Sequence, residues 1–192
     1  MIYIKYSGAI NSKDLLKPMK EEFQDICEIS EWEFEIVNED FNSLTAKAKK
    51  EFSKSNFFEL DEDLENEITH FKGPNVYLEG ISIGISKGVE PLKFTFDKNG
   101  QIAAISFYTT DTVGINSKIT VKKYEFMYFP YIKIYTGNYE THIKMIKILD
   151  YVKKKYIKNL EVIDTSFFWD NRDEEALILK FWKERKNKQI TR

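Results

Sequence analysis

The sequence predicts an α+β fold: a mostly antiparallel sheet of five to seven strands, with two long helices and one N-terminal helix packed on it. Strand patterns cluster between residues 76 and 135 instead of alternating regularly with helices, which is typical of antiparallel pairing. The dipeptide Asn99-Gly100 separates two alternating runs and predicts a tight hairpin turn. Hydrophobic residues make up 42% of the 192 residues, which is enough to bury a core.

The first 40 residues predict a strand, a helix and a second strand. Residues 2–6 alternate in hydrophobicity, as a strand does. Met19 and Phe23 continue an apolar stripe at helical spacing. Pro18 is tolerated only in the first turn of a helix, so we expect this helix to begin near Lys17. Residues 32–37 alternate apolar and acidic side chains and predict a half-exposed strand.

The rest of the chain supplies most of the predicted strands and both long helices. Further strands are predicted at residues 76–86, 92–108 (a hairpin), 118–129, 131–135 and 160–164. The long helices are predicted at residues 139–156 and 173–186.

We expect one domain, residues 1–192, with residues 38–75 an irregular insertion and residues 187–192 a frayed tail, because hydrophobic periodicity is weakest there. The single cysteine, Cys27, excludes an intrachain disulfide framework and a Cys-rich zinc site. It lies on the apolar side of the first helix, which favours a small buried side chain over a nucleophile. Without a signal-peptide pattern or an apolar run of about 20 residues, a cytoplasmic protein is expected.

Charge is divided unevenly along the chain. Residues 1–100 carry 12 basic and 20 acidic side chains (−8), whereas residues 101–192 carry 17 and 11 (+6). Such a division predicts charged faces that can steer a partner, although ordinary solvated surfaces can produce it too. One acidic run does not fit a calcium-binding EF-hand loop, because Asn66 and Lys72 occupy the glycine and glutamate positions. We predict that its acidic residues bind a partner with a basic surface: Glu59, Asp61, Glu62, Asp63, Glu65 and Glu67.

Glycines alternate with isoleucines in one predicted strand. Ile81 and Ile83 point to one side of it, and Gly80 and Gly84 point to the other. The nearly bare side allows a close approach by another chain segment, a ligand or a partner. Packing within the chain is the simplest of these interpretations.

The segment 159–177 combines acidic side chains with three consecutive aromatic ones. One interpretation is a hard cation held by Asp164, Asp170 and Asp173. The other is that Asp164 ends a strand, Asp170 or Asn171 caps the last helix, and the later acids occupy its first turn. We favour the second interpretation and predict no metal, because capping accounts for these acids without a ligand.

His142 suggests an alternative, catalytic function. It borders the apolar stripe of the helix predicted at residues 139–156. With Glu140 or Asp164 it could form an acid–base pair, which would make the protein a hydrolase or nuclease-like enzyme with these three side chains in a cleft. A histidine that packs at the helix edge and makes one hydrogen bond is the competing interpretation.

Two blocks of the sequence resemble a set of small uncharacterised bacterial proteins. They contain a Glu-Pro-Leu hairpin strand, a helix with an early histidine, a Tyr-x-x-x-Leu-Glu-Val strand and an aromatic, acid-started helix. The matching residues are Glu90, Pro91, Leu92, His142, Tyr156, Leu160, Glu161, Val162, Asp164, Trp169 and Asp173. The resemblance covers about half the chain, and Thr165 and Ser166 replace the acidic pair usual in those proteins. It implies an immunity-type or accessory role beside a partner.

These observations predict a non-enzymatic cytosolic protein that binds one protein partner through a charged face. The sequence contains no recognisable catalytic motif, so an enzyme is the less favoured alternative. We expect no cofactor and no membrane interaction. The acidic first half and the absence of a recognition motif argue against nucleic acid as the partner.

Overall fold

The computed structural model describes residues 2–40, 69–70, 77–113 and 120–190. Within these ranges the strands are β1 Tyr3–Ser7, β2 Glu33–Asp40, β3 Thr69–His70, β4 Tyr77–Gly84, β5 Leu92–Phe96, β6 Ala104–Val113, β7 Thr120–Phe129, β8 Ile132–Tyr135 and β9 Glu161–Asp164. The helices are α1 Leu16–Ser30, α2 Tyr139–Lys155, α3 Phe168–Asn171 and α4 Glu174–Ile190.

The α+β class is confirmed, but the prediction of one sheet with five to seven strands is wrong. The described strands form three antiparallel sheets of three strands, in the orders β8-β1-β9, β2-β4-β5 and β3-β7-β6. The reason is clearest at β6. Ile102 and Ala103 still bond to β5, but from Ala104 onward the chain pairs with β7 over ten residues. A fourth, short helix, α3, was also not predicted.

One hydrophobic core joins two of these sheets to the long helices. It includes Ile4 of β1, Phe94 of β5, Met19 and Phe23 of α1 and Leu149 of α2, all of them buried. The Phe23 and Phe94 rings stack with their centroids 5.5 Å apart. The first two sheets therefore share a single interior and do not behave as separate units.

The start of α1 follows the sequence-based expectation. A 3₁₀ turn at Lys13–Leu15 precedes the helix, and the Ser12 side chain accepts a hydrogen bond from the Asp14 amide in this turn. The helix begins at Leu16, so Pro18 lies in its first turn, where its missing amide hydrogen removes no helical bond.

The turn at Asn99 and Gly100 is confirmed, with a difference in type. The Gly100 amide donates to the Asp97 carbonyl at 2.9 Å, and Gly100 has a φ of 78°. Asn99 keeps a negative φ, so the loop is a type I turn followed by a left-handed glycine. The Asp97 side chain also accepts the amide hydrogens of Asn99 and Gln101, which fixes the turn.

The expected insertion and tail lie only partly within the described residues. Residues 38–40 continue β2 and residues 69–70 form β3. The rest of the 38–75 segment lies outside the described residues. Helix α4 extends to Ile190, so residues 187–190 of the expected tail are helical.

The glycines of β4 lie close to the backbone of the neighbouring strands. Ile81 and Ile83 are completely buried in the core. A Cβ atom built on Gly80 would lie 1.9 Å from the Phe94 carbonyl oxygen of β5, whereas one built on Gly84 would lie 3.3 Å from the Glu33 Cβ. The backbone of β5 therefore occupies the space that a side chain at residue 80 would need. This supports the interpretation that the glycine permits close packing within the chain.

Candidate functional site

His142 and Asp164 meet in the core. Asn138 caps α2 by accepting a hydrogen bond from the Thr141 amide, and the helix then directs His142 inward. Asp164 ends β9 opposite Ile4 of β1 and also points inward. The distance from His142 Nε2 to Asp164 Oδ2 is 3.1 Å, and both side chains are completely buried.

Thr136 and Ser166 complete a hydrogen-bond network around this pair. Thr136 Oγ1 lies 3.0 Å from His142 Nδ1, and Ser166 Oγ lies 3.1 Å from His142 Nε2. Ser166 Oγ also donates to Asp164 Oδ2 at 2.7 Å. Both ring nitrogens of His142 therefore have hydrogen-bond partners, because Nδ1 faces the Thr136 hydroxyl and Nε2 faces Asp164 and Ser166.

The Asp164 carboxylate also organises the backbone that follows β9. Oδ1 accepts the Ser166 amide at 2.7 Å, and Oδ2 accepts the Trp169 amide at 2.9 Å. Asp164 therefore holds the chain between β9 and α3 in place. In this turn Phe167 adopts a left-handed conformation with a φ of 68°.

Two aromatic rings enclose the histidine. The Phe168 and Phe181 rings each form a T-shaped contact with the His142 ring, with centroid distances of 6.1 Å and 5.8 Å. Both phenylalanines are buried. The network therefore joins α2, the turn after β9 and α4 in a place that solvent does not reach.

The arrangement does not have the geometry of a nucleophilic triad. In a Ser–His–Asp triad the hydroxyl and the carboxylate bond to opposite ring nitrogens. Here Ser166 and Asp164 both approach Nε2 of His142. Glu140 is exposed and hydrogen-bonded to Tyr139, so it does not join them. The structure thus brings together two of the three residues of the catalytic alternative, inside the core and without access for a substrate.

The charge on Asp164 is stabilised although the group is buried. Burial by itself raises the pKa of this carboxyl, but the hydrogen bond and charge of His142 and the hydrogen bonds of Ser166 outweigh it. Together they lower the pKa of Asp164 from 3.8 to about 2. A carboxylate with several hydrogen-bond donors shows this behaviour in general.

We expect Asp164 to make folding stability depend on acid pH. Its pKa is lower in the folded chain, so its contribution of about 2 kcal/mol is complete above its unfolded-state pKa and is lost as the pH falls through about 2. Urea unfolding at a series of acid pH values would measure this, with Asp164→Asn as the variant that lacks the titration. The same pH slope in both proteins would contradict the assignment.

The other two acids of the less favoured cation interpretation do not lie with Asp164 in the core. Asp170 and Asp173 are exposed, whereas Asp164 is buried. Asp173 accepts the Ala176 amide hydrogen at 3.0 Å and caps α4. The expectation that Asp170 or Asn171 caps this helix is therefore wrong. Over the described ranges no three His, Cys, Asp or Glu side chains are arranged to hold a metal ion.

The acidic run predicted to bind a partner lies outside the described residues. It comprises Glu59, Asp61, Glu62, Asp63, Glu65 and Glu67. A second acidic segment, from the end of α1 through β2, is described. Between residues 28 and 40 the sequence has six acidic side chains and no basic one: Glu28, Glu31, Glu33, Glu35, Glu39 and Asp40.

Among the described strands, β2 lies at the edge of its sheet. It pairs with β4 on one side, and in the part of the chain that the structure describes no strand pairs with its other side. Phe34 and Ile36 are 37% and 40% exposed, although they lie opposite the buried Ile83 and Ile81 of β4. We call the residues Glu33–Asp40 the acidic edge.

Electrostatic repulsion is already present on the acidic edge. Burial raises the pKa of the Glu39 carboxyl, and the negative charge of Glu35 raises it further, while Lys93 acts in the opposite direction. A like-charged neighbour disfavours ionisation, so a positively charged partner would relieve this repulsion.

Cys27 is confirmed as a core residue. It is completely buried, and burial raises the pKa of its thiol. Both features disfavour the thiolate that a nucleophile requires.

From the sequence, no role was predicted for Thr136 or Ser166, and Phe167 was grouped with Phe168 and Trp169 only as consecutive aromatic residues. A signal for Ser166 was present, because an Asp-x-Ser sequence after a strand is typical of a turn in which the carboxylate accepts the amide two residues on. Thr136 and Phe167 carried no comparable signal, since their roles depend on long-range packing and on a backbone conformation.

Comparisons with protein-family models, with curated proteins and with solved structures found no match. The resemblance to small uncharacterised bacterial proteins therefore stays a prediction. Among the described helices, none combines the length and the apolar character needed to cross a membrane.

Proposed function

We propose that this chain is a non-enzymatic cytosolic protein that binds one protein partner, and that its acidic edge receives an extended, basic segment of that partner. The position of β2 at the edge of its sheet, where no other described strand pairs with its second side, is the observation that carries the proposal. An exposed strand edge presents unpaired backbone donors and acceptors, to which another strand can add.

Charge and exposure specify the kind of segment that would add. Acidic side chains of the edge favour lysine and arginine on the incoming strand, and they would accelerate association at low salt. Phe34 and Ile36 offer partly exposed apolar surface beside those charges. A segment that alternates basic and apolar residues therefore matches the edge best.

The enclosed His142 network supports a binding function over catalysis. A general acid or base must come within hydrogen-bond reach of a substrate, and neither His142 nor Asp164 is exposed. An immunity-type or accessory role, in which the protein holds one partner, is compatible with the acidic edge and remains part of the proposal.

The proposal can be tested with a basic peptide of alternating lysine and valine, together with a version interrupted by proline. The variant Glu33→Gln/Glu35→Gln/Glu39→Gln should lower the association rate about tenfold and remove most of its salt dependence. The control Glu161→Gln/Asp170→Asn/Glu175→Gln changes the net charge equally at exposed positions elsewhere, and it should preserve the rate.

Backbone hydrogen exchange separates strand addition from general charge attraction. Bound peptide should protect amides of β2, and the proline-interrupted peptide should not, because proline donates no hydrogen bond to a ladder. Equal loss of rate in both triple variants, or unprotected β2 amides in the complex, would refute the proposal.

A further inference from the structure

The sheet β8-β1-β9 has one buried face and one face with aromatic and basic side chains. Along β1, Ile4 and Tyr6 are buried, whereas Tyr3 and Lys5 lie on the opposite face and are only half-buried. Neighbouring strands extend this face in register. Tyr3 lies opposite Tyr135, and Lys5 lies between Lys133 and Ile163.

Lysines and tyrosines alternate in space on this face. Lys133 Nζ lies 4.2 Å from the centroid of the Tyr3 ring and 5.5 Å from that of Tyr135. Lys5 Nζ lies 3.9 Å from the Tyr131 ring centroid. Lys5 and Lys133 are directly opposite each other, so two ammonium groups are neighbours on this face.

A further exposed aromatic ring, Phe167, follows shortly after β9. The Thr165 amide donates to the Tyr3 carbonyl at 3.2 Å, which places residue 165 beside Tyr3. Lys180 of α4 donates to the Thr165 carbonyl, and its Nζ lies 4.4 Å from the Phe167 ring centroid. Ile163 and Phe167 are 57% and 62% exposed.

Phe167 is an unusual residue for its position. A bulky side chain in the left-handed region is strained, and glycine or asparagine would adopt this conformation at a lower cost. The strained backbone presents an aromatic ring to solvent, beside a lysine.

We propose that this face binds single-stranded nucleic acid. Rings of Tyr3, Tyr135 and Phe167 would stack on bases, and the ammonium groups of Lys5, Lys133 and Lys180 would contact phosphates. Proteins that bind single strands combine aromatic platforms with basic side chains in this way. In a duplex the bases are stacked on one another, so they are not available to stack on these aromatic side chains. An acidic protein segment would bind the lysines but would not need the aromatic rings.

Acidic groups limit the path of the strand. Glu161 is exposed opposite Ser7 at one end of the face, and the Glu90 carboxylate accepts the Tyr135 amide at 2.7 Å near the edge. The strand would therefore pass over the Tyr3 side of the face toward Phe167. The expectation against nucleic acid rested on the absence of a recognition motif and on the acidic charge of the whole first half. This face combines Tyr3 and Lys5 of that half with basic residues of the second.

Fluorescence anisotropy with labelled oligothymidylate and oligouridylate tests the proposal on the full chain. Duplex DNA and polyglutamate serve as competing probes. Both single-stranded probes should bind at low salt, and three phosphate contacts give a slope of about −2 for log affinity against log salt.

Two substitutions separate stacking from charge. Phe167→Asn should reduce affinity roughly fivefold or more, since a stacked ring is lost, and should preserve or raise thermal stability because asparagine tolerates the left-handed region. Lys133→Gln should reduce the magnitude of the salt slope by about 0.7. Lys17→Gln, an exposed lysine on α1, should change neither quantity.

The outcomes decide between this proposal and a general acidic-ligand surface. Absence of binding to both single strands at low salt would overturn it. It would also be overturned if duplex DNA or polyglutamate bound as tightly and Phe167→Asn had no effect. The acidic edge is a different surface, so the triple glutamine variant of β2 should still bind the single strand, and failure of one proposal leaves the other intact.

Discussion

Replacing Asp164 with alanine is expected to lower the free energy of unfolding by about 3–5 kcal/mol. The substitution removes the acceptor for His142 Nε2, for the Ser166 hydroxyl and for the Ser166 and Trp169 amides. The His142 and Ser166 donors lie inside the core, where water cannot replace the carboxylate, and the Trp169 amide is partly buried. A buried donor that is left without an acceptor costs the full free energy of its desolvation.

Urea unfolding followed by circular dichroism would measure this loss. Asp170→Ala is the matched control, because Asp170 is an exposed aspartate in the same segment, and we expect it to change stability by no more than about 0.5 kcal/mol. Asp164→Asn should fall between the two, because it keeps the volume and one acceptor. A loss below about 1 kcal/mol in Asp164→Ala would show that the network contributes little to folding.

The network also connects the core to the proposed binding face. Asp164 accepts amide hydrogens on either side of Phe167, from Ser166 and Trp169. It therefore helps to hold Phe167 in its left-handed conformation beside Lys180. The pair that suggested catalysis in the sequence would thus act on binding indirectly, by fixing the turn that presents an exposed ring.

The sequence predicted local structure well because local structure depends on neighbours along the chain. Pro18 limited the start of α1, and Gly100 identified a turn whose positive φ the structure shows. The partition into three sheets was not predictable in this way. Alternation shows which side of a strand is buried, but the partner of β6 depends on contacts with β7, which follows it along the chain.

The same distinction applies to the candidate sites. His142 and Asp164 were identified by residue type, and their contact is real, but only the burial of both side chains shows that a substrate cannot reach them. The lysine and tyrosine face went unnoticed because its members come from three strands that are far apart in the sequence: β1, β8 and β9. Cross-strand register, which the sequence does not display, brings them together.

Replacing Gly80 with alanine is expected to destabilise the fold by about 3 kcal/mol, because the new methyl group overpacks the sheet. Its Cβ would lie 1.9 Å from the Phe94 carbonyl oxygen, and this atom belongs to the backbone of β5. A side chain could rotate away, but here the paired strands must separate locally. Without this contact, alanine in a strand would be favoured over glycine, so the sign of the effect is itself informative.

Gly84→Ala is the matched control in the same strand. Its Cβ would lie 3.3 Å from the Glu33 Cβ, which needs a shift of only a few tenths of an ångström on the exposed edge strand β2. We expect a change within about 1 kcal/mol for this variant. Thermal and urea unfolding would compare the two, and hydrogen exchange of the β4 and β5 amides would locate the damage. Equal stability of the two variants would mean that β5 yields easily at Phe94, and that the glycine at residue 80 is not required for close packing of the strands.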